Sequence, residues 1–432
     1  MAFSDFRTKG FLALVGLTLL LRFGFLGSFD HVPVSDEMDY LELAASLAES
    51  RSYVIDGAPS AFRPPGYPVF LAVVQIVFGP AIEIIRVIQI FLDLGIVVGL
   101  YVLGLRYGHL DALLAGLIWA LFPPAILYTG LILSETFAAF LLVALLVVLT
   151  LRPWPLGPVP SAVAGLLMGI LVLVKAWVIL FGAGIFCLLW IRTRSLTILL
   201  WFSAGILLIV APWTMRNVFV FGSPLISTNT GINLYMGNNP HATGAYKAGL
   251  PDTLLAVSHD ELAFHQLSLG MAINHIFEDP IGFVKRMPIK VAHTFRSEGE
   301  LLVWVFHPNI RDRSSSFSQK YRSLSLILIL GVNILYASVL LMGVAGVLRF
   351  WRDDPALITV LFFGILIAVH AVFFGGSRFH FLLMPLMTFF AARSLPNLHH
   401  AWTVMSFTCK MSFIVIAAIF LSVWILEFMY VF

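Results

Sequence analysis

Long apolar runs alternate with short charged joints along almost the whole chain. The runs cover residues 10–29, 81–105, 110–131, 134–151, 161–174, 177–191, 196–214, 324–348, 356–375, 379–393 and 403–427. A helix needs about 20 apolar residues to cross a bilayer, so the pattern predicts about eleven membrane spans. The basic residues Arg7, Lys9, Arg106, Arg152, Arg192, Arg194, Arg349, Arg352, Arg393 and Lys410 fall in alternate short joints. Loops rich in Lys and Arg stay in the cytoplasm, which places the N-terminus there and puts the polar segments 30–80 and 215–323 together on the outer face. Residues 161–191 read in two ways. A single tilted helix would hold Lys175 in mid-bilayer, at roughly 3 kcal/mol on insertion scales, and would reverse the topology downstream. Two short helices meeting at Lys175 put the lysine on the outer face, and that reading fits the charge pattern better.

The polar segments carry weaker patterns. In the first outer loop, Asp39 to Ser50 has helical spacing of Leu41, Ala44, Ala45, Leu47 and Ala48, and Tyr67 to Phe78 is apolar but short, stopped by Gly79-Pro80. Both read as helices lying in the interface. The segment 215–323 contains helix-like stretches near 258–276 and 280–296, preceded by Asn- and Gly-rich sequence from 227 to 240. The organisation expected is a membrane core over 1–214 with a chemically active first loop (30–80), a long outer loop over 215–323 acting as pocket or lid, and a C-terminal group of spans over 324–432.

Composition agrees with the pattern. The chain of 432 residues is 60% hydrophobic and 11% charged, with mean hydropathy +0.96. A soluble domain of this size has nowhere to hide that much apolar surface, so an all-α polytopic membrane protein is expected. The 38 Phe and 10 Trp suit lipid-facing surface and aromatic belts. A net charge of +3 gives no reason to expect nucleic acid. Cys187 and Cys409 both lie in apolar stretches and read as small core residues. The first apolar run lacks a small-residue cleavage signal after it and reads as a retained helix.

The candidate chemistry sits at the ends of the runs. Asp36, Glu37 and Asp39 follow the first span, and Arg63 precedes a rigid Pro64-Pro65 turn. Acids there also fit a solvated loop or a helix start, and an arginine there also fits snorkelling to headgroups. As a chemical set they do more. A carboxylate can take the proton of an attacking hydroxyl, and an arginine can hold a phosphate bidentately. A phosphate leaving group is already a stable anion, so one carboxylate suffices for an inverting transfer. Glu135, Lys175, Arg216 and Arg378 lie at span ends on the same predicted face, where the cations can neutralise a phosphate or pyrophosphate. Arg22 and Arg86 read as snorkelling or pairing residues, with Asp93 facing Arg86 on one helix. His370 and His380 show no ligand-like spacing, and no zinc motif, phosphate-binding Gly loop, dinucleotide motif or nucleophile elbow occurs.

These motifs together resemble the GT-C glycosyltransferases, in the branch related to protein O-mannosyltransferases and the lipid A aminoarabinose transferase. The likeness rests on Asp36-Glu37…Tyr40 and Arg63-Pro64-Pro65-Gly66-Tyr67-Pro68. It extends to Ser134-Glu135, Pro212–Asn217, Ser227–Asn233, Tyr235–Pro240 and Arg378-Phe379-His380, in order along nearly the whole chain. The resemblance implies a polyprenyl-phosphate sugar donor with its sugar on the outer face. It implies Asp36 as the base, Arg63 as a ligand of the donor phosphate, and Glu135 as support for the acceptor or the base. Lys175 departs from the Arg-Pro of many relatives, and no large polar domain follows the last span, which leaves the acceptor open.

The expected protein is thus an inverting membrane transferase of a hexosyl or pentosyl group, working on a lipid, glycan or protein hydroxyl, for example of a cell-envelope glycan. Arg63, Lys175, Arg216 and Arg378 would bind donor phosphate. Glu37, Asp39, Tyr40, Tyr67, Asn229, Asn233, Tyr235, Asn238, Asn239 and His380 would contact sugar or acceptor, the Asn-rich stretch 229–239 forming turns around sugar hydroxyls. Membrane lipids are its other partners, no cofactor is assigned, and a divalent cation joining the acids stays open. The expected site is the inner membrane of a prokaryote, on its extracytoplasmic side. Two rivals are an oligosaccharide ligase or polymerase, which also needs phosphate-binding arginines and a large outer loop, and a lipid-linked sugar flippase, which would need ionisable groups near the midplane.

Overall fold

The computed structural model describes residues 2–150, 157–246, 249–307, 316–397, 403 and 405–431. Arg152 and parts of the spans expected at 134–151 and 403–427 lie outside them. The protein is 79% helical, and among the described residues one small antiparallel hairpin, Val54–Ile55 with Ala58–Pro59, is the only sheet. Seven helices are long and apolar enough to cross a membrane by length and composition. They are α1 (Ala2–Gly27), α4 (Ile82–Leu105), α9 (Ile179–Thr193, with its preceding 3-10 turn), α10 (Leu196–Phe221), α17 (Leu326–Arg349), α18 (Asp354–Val372) and α20 (Phe407–Val431). Shorter apolar helices complete the bundle: α3 (Gly66–Phe78), α5 (His109–Ala120), α7 (Glu135–Thr150) and α8 (Pro158–Val174).

The difference from eleven full spans has local causes. The run 110–131 breaks at Pro123-Pro124, which cannot donate into a continuing helix, so α5 gives way to the short α6 (Pro123–Tyr128). The run 379–393 begins as a 3-10 turn, Ser377–Leu383, and becomes α19 (Met384–Ser394) only where Pro385 occupies an early helical position. In the other direction, α10 continues through Pro212 to Phe221, so Arg216 and Asn217 are helical residues and not the start of a loop. At Lys175 the chain folds back. A Cβ on Gly182 would lie 3.2 Å from the Met168 side chain, which a continuous helix would hold nearly four turns, about 21 Å, away.

Small residues set the helix spacing. A Cβ on Gly165 would come within 2.1 Å of the Phe202 carbonyl, and one on Gly205 within 2.5 Å of the Ala162 carbonyl, so α8 and α10 pack backbone to backbone as membrane helices do where small residues meet. Deep in the bundle, Arg22 is fully buried and donates to Asp93 at 2.7 Å and to the carbonyls of Trp119 and Ala120. The Trp119 indole donates to the other Asp93 oxygen at 2.8 Å. Asp93 therefore pairs with Arg22 and not with Arg86, and neither arginine snorkels. Arg86 donates instead to the carbonyls of Gly130 and His31. A side chain on a neighbouring helix is nearer than one two turns along the same helix, and same-face spacing does not reveal it.

Between α10 and α17 the segment is folded. It holds α11 (Asn229–Gly237), α12 (Asp252–Leu255), α13 (Glu261–Glu278), α14 (Pro280–Thr294), α15 (Gly299–Phe306) and α16 (Phe317–Arg322). Ile232, Leu234, Tyr235, Met236, Leu254, Ala272 and Phe374 form a small second core there. The stretch expected to form turns is thus a helix, because its apolar side chains have a core to fill. Gly231 and Gly237 serve close packing: a Cβ on Gly237 would overlap the Phe373 carbonyl at 1.8 Å.

Candidate active site

Helix α2 (Asp36–Ser50) starts at the first of the acids, three residues earlier than periodicity suggested, and carries Asp36, Glu37 and Asp39 in its first turn. Acids are favoured at that end by the helix dipole. Ser35, just before it, has φ 51° and ψ −122°, a backbone conformation that L-residues adopt only under constraint. Opposite α2 stands the Arg63-Pro64-Pro65 turn. Gly66 at its end permits contact with α8: a Cβ there would lie 2.7 Å from the Leu173 backbone. That contact sets the Arg63 turn beside the Lys175 turn.

The acids and cations meet across these elements. Arg63 Nη2 donates to Asp36 Oδ1 and to Asp39 Oδ2, both at 2.7 Å, and its Nε donates to Asp39 at 3.0 Å. Arg378 Nη1, from the 3-10 turn, donates to Asp36 Oδ2 at 2.6 Å. Each oxygen of Asp36 is therefore held by a different guanidinium. The Asp36 and Arg63 side chains are 14% exposed and Asp39 is 34% exposed, so a solute can reach the cluster. Tyr40 lies under Arg63, 5.6 Å from the guanidinium to the ring centre, and meets Tyr67 edge-on at 5.0 Å. Burial pushes the Asp36 carboxyl up, but the Arg378 and Arg63 charges outweigh it and hold the group well below the usual carboxylate range. Both arginines shift upward: burial works against them, and the carboxylates, Asp36 foremost, prevail. Asp39 shifts upward, because burial there exceeds the pull of Arg63.

A second pair adjoins the first. Lys175 Nζ donates to Glu135 Oε1 at 2.8 Å, and the Glu135 charge acts on Arg378. Asp36, Asp39, Tyr40, Arg63, Glu135, Lys175 and Arg378 thus form one neighbourhood, assembled from α2, a turn, the start of α7, the α8–α9 turn and the turn before α19.

Other residues expected at the site are placed elsewhere. Glu37 is fully buried. It accepts from the backbone of Val34 (3.1 Å) and Ile132 (2.8 Å) and from Trp304 Nε1 (3.1 Å), and bonds His31 at 2.7 Å. It ties the loop before α2 to α15 and to the segment before α7. Glu37→Gln, which turns an amide NH2 toward donors, is expected to cost about 1–3 kcal/mol in thermal unfolding in detergent; an unchanged transition would remove this anchoring role. Tyr67 is buried and donates to Gln89. Arg216 donates to the carbonyls of Ser60 and Tyr53 and to Asn217, and Tyr53 in turn donates to the Arg63 carbonyl. Arg216 therefore braces the loop that carries Arg63, because its donors are already spent on carbonyls. Asn229 and Asn233 are half-buried on α11, and Tyr235 is buried in the second core. Asn238 is fully buried, bonded to the Leu234 and Val372 carbonyls and to Lys290 Nζ, and Asn239 caps the Tyr235 carbonyl. His380 is sealed against Glu298 at 2.9 Å and the Thr294 carbonyl, stacked on Tyr336. Lys290 and Glu298 had no sequence signal of their own. Burial, helped by Arg286, lowers Lys290 to about 8. Among the described residues no three His, Cys, Asp or Glu side chains form a metal-sized group.

No protein-family model and no curated protein sequence matches the chain. Its fold does match solved structures. The archaeal oligosaccharyltransferase AglB from Archaeoglobus fulgidus, in complex with an inhibitory peptide and a dolichol-phosphate, superposes with TM-score 0.52 at 14% identity, over 97% of this chain and 55% of that one. ArnT from Cupriavidus metallidurans bound to undecaprenyl phosphate gives TM-score 0.45 at 14% identity, over 91% and 79%. The chain spans about half the length of AglB. At such identity the AglB match shows the fold alone: the chain is an integral membrane protein that shares the AglB architecture over nearly its whole length.

Proposed function

We propose that the protein is an inverting glycosyltransferase that moves a sugar from a polyprenyl-phosphate donor to an acceptor hydroxyl on the non-cytoplasmic face, in a prokaryote the outer side of the inner membrane. One observation carries the proposal: a reachable carboxylate, Asp36, whose two oxygens are each gripped by a different arginine. In that state Asp36 is a poor base, since its proton affinity is suppressed. A phosphate offers the guanidiniums a stronger, bidentate partner. As Arg63 and Arg378 turn to the donor phosphate, Asp36 loses its counter-charges and its basicity rises. It then takes the proton of the acceptor hydroxyl. The hydroxyl oxygen bonds to the anomeric carbon while the bond from that carbon to phosphate oxygen breaks. The lipid phosphate departs as an anion held by Arg63, Arg378 and Lys175. Glu135 keeps Lys175 aimed, and Arg216 keeps the Arg63 loop in place.

The flippase alternative needs ionisable groups near the midplane, and Asp93, inside the run 81–105, is an acid away from the span ends. Asp93 has both oxygens bonded, to Arg22 and Trp119, and is thereby accounted for within the packing of the bundle.

The test uses purified protein in nanodiscs with radiolabelled polyprenyl-phosphate monosaccharides and a membrane glycan and lipid extract as acceptor, following release of polyprenyl phosphate. Arg63→Ala and Arg378→Ala are each expected to lower release about 100-fold or more. Wild-type protein that moves labelled lipid across the membrane without releasing phosphate would overturn the reading in favour of transport. Release that survives both substitutions would remove the arginines from the mechanism.

A further inference from the structure

Beside the phosphate-facing cations lies a group of buried polar atoms with no partner: Glu135 Oε2, Ser134 Oγ and His370 Nε2. Glu135 is 3% exposed, Ser134 fully buried and His370 4% exposed. Each unpaired buried polar atom costs about 1–3 kcal/mol, so three in one neighbourhood need a reason. His370 closes α18 and stacks on Phe379, ring centres 4.3 Å apart and planes 17° from parallel. Phe379 is the residue after Arg378. The Trp177 ring, two residues beyond Lys175, stands 6.0 Å from the imidazole, edge to face. The charges of both Lys175 and Arg378 act on the imidazole. His370 thus shares a neighbourhood with the cations assigned to the donor phosphate.

The chemistry of the orphaned atoms is specific. His370 Nδ1 lies 3.0 Å from the Phe374 carbonyl, which can only accept, so Nδ1 carries the proton and Nε2 of the neutral ring presents a lone pair. Glu135 spends Oε1 on Lys175, and Oε2 is an acceptor with nothing to accept. Two buried acceptors flanking two cations call for a ligand that has an anion and, within a few ångströms of it, hydroxyl donors. A sugar attached to phosphate has that pattern.

We infer that His370 Nε2 and Glu135 Oε2 form a hydroxyl-recognising subsite that reads the sugar of a lipid-phosphate donor. The inference rests on the donor-phosphate assignment above. It makes His370 a specificity-determining residue, while Arg63 and Arg378 hold the phosphate whatever is attached to it. A pocket built to bond a hydroxyl discriminates strongly, because a donor lacking that hydroxyl leaves the buried acceptors unpaired.

Binding is measured on full-length protein in nanodiscs, with bare undecaprenyl phosphate and with a panel of undecaprenyl-phosphate hexoses and pentoses as probes. Wild type is expected to prefer at least one glycosylated lipid over the bare phosphate. His370→Leu is expected to lose about tenfold or more of affinity for that lipid and to bind bare undecaprenyl phosphate within about threefold of wild type. His370→Gln restores an acceptor oxygen and should recover part of the preference. Glu135→Gln, which keeps the shape, should lose preference as His370→Leu does and guards against a fold defect peculiar to the histidine. A wild type that binds bare and glycosylated lipids alike, or a His370→Leu protein that keeps the preference, overturns the subsite and leaves the phosphate assignment standing. Absence of any lipid-phosphate binding by folded wild type overturns both.

Discussion

Asp36→Asn is expected to lower turnover by about 100- to 10,000-fold, the range for loss of a positioned general base, while donor binding grows tighter. The second half separates the proposed mechanism from simple damage. Asp36 now holds Arg63 Nη2, which it shares with Asp39, and Arg378 Nη1. An amide cannot neutralise two guanidiniums, so Arg378 becomes available to a phosphate, Arg63 keeps only Asp39 as its ion-pair partner, and the competition that wild type imposes on donor binding weakens. Single-turnover release of labelled lipid phosphate and equilibrium binding of undecaprenyl phosphate, on the same nanodisc preparation, read the two effects separately. Turnover near the wild-type value would remove Asp36 as the base. Weaker donor binding would contradict the exchange of arginines from carboxylate to phosphate.

The same exchange gives a pH signature. In the free protein the two arginines hold the Asp36 carboxyl below its ordinary range, against burial. Its folded-state value is depressed, so its contribution to stability is fully present above the unfolded value near 4 and is lost as pH falls toward the folded one. Acid inactivation of kcat/KM, which reports the free enzyme, is therefore expected well below about pH 4. The acid limb of kcat, which reports the donor complex, should lie higher, because the phosphate has taken the arginines. Coincident limbs would mean that Asp36 keeps its partners throughout.

Much of this neighbourhood was legible in the sequence because membranes punish stray charge. An ionisable residue at the end of an apolar run has few reasons to be there, and Asp36, Arg63, Glu135, Lys175 and Arg378 were all such residues; the structure brings them together. What sequence could not show is which of several polar residues turns inward. Glu37 and Asp36 are adjacent and chemically alike, yet the rotation of about 100° from one helical residue to the next separates a buried anchor from a reachable acid. His380 was expected at the site and His370 was not, but His380 found Glu298 at 82 positions' separation, whereas His370 Nε2 stayed open. The Asn and Gly residues of 229–239 suggested turns because local propensity favours them there. The second core around Ile232, Tyr235 and Met236 overrode that preference.

Asp93→Ala is expected to destabilise the protein by about 3–5 kcal/mol, since it strands a buried guanidinium. Arg22 would retain only the carbonyls of Trp119 and Ala120, and Trp119 Nε1 would lose its acceptor. Removing both charges is a different experiment: in Arg22→Met/Asp93→Leu no charge is left unpaired, and a well-packed apolar pair can match or exceed a buried ion pair. Thermal unfolding of both singles and the double, read as a cycle, should therefore show strong coupling, with the double more stable than either single. The consequence for activity follows from where the pair sits. Trp119 packs against Phe381, ring centres 5.7 Å apart, and Phe381 lies in the turn that carries Arg378. Loosening Trp119 in Asp93→Ala should displace that turn and weaken donor binding, whereas the double substitution should restore much of it. A double variant that folds and binds donor but turns over nothing would show that Asp93 takes part in the reaction or in ion movement, and would reopen the transport reading; a double variant with near-normal turnover confines Arg22 and Asp93 to holding the bundle in register beneath the site.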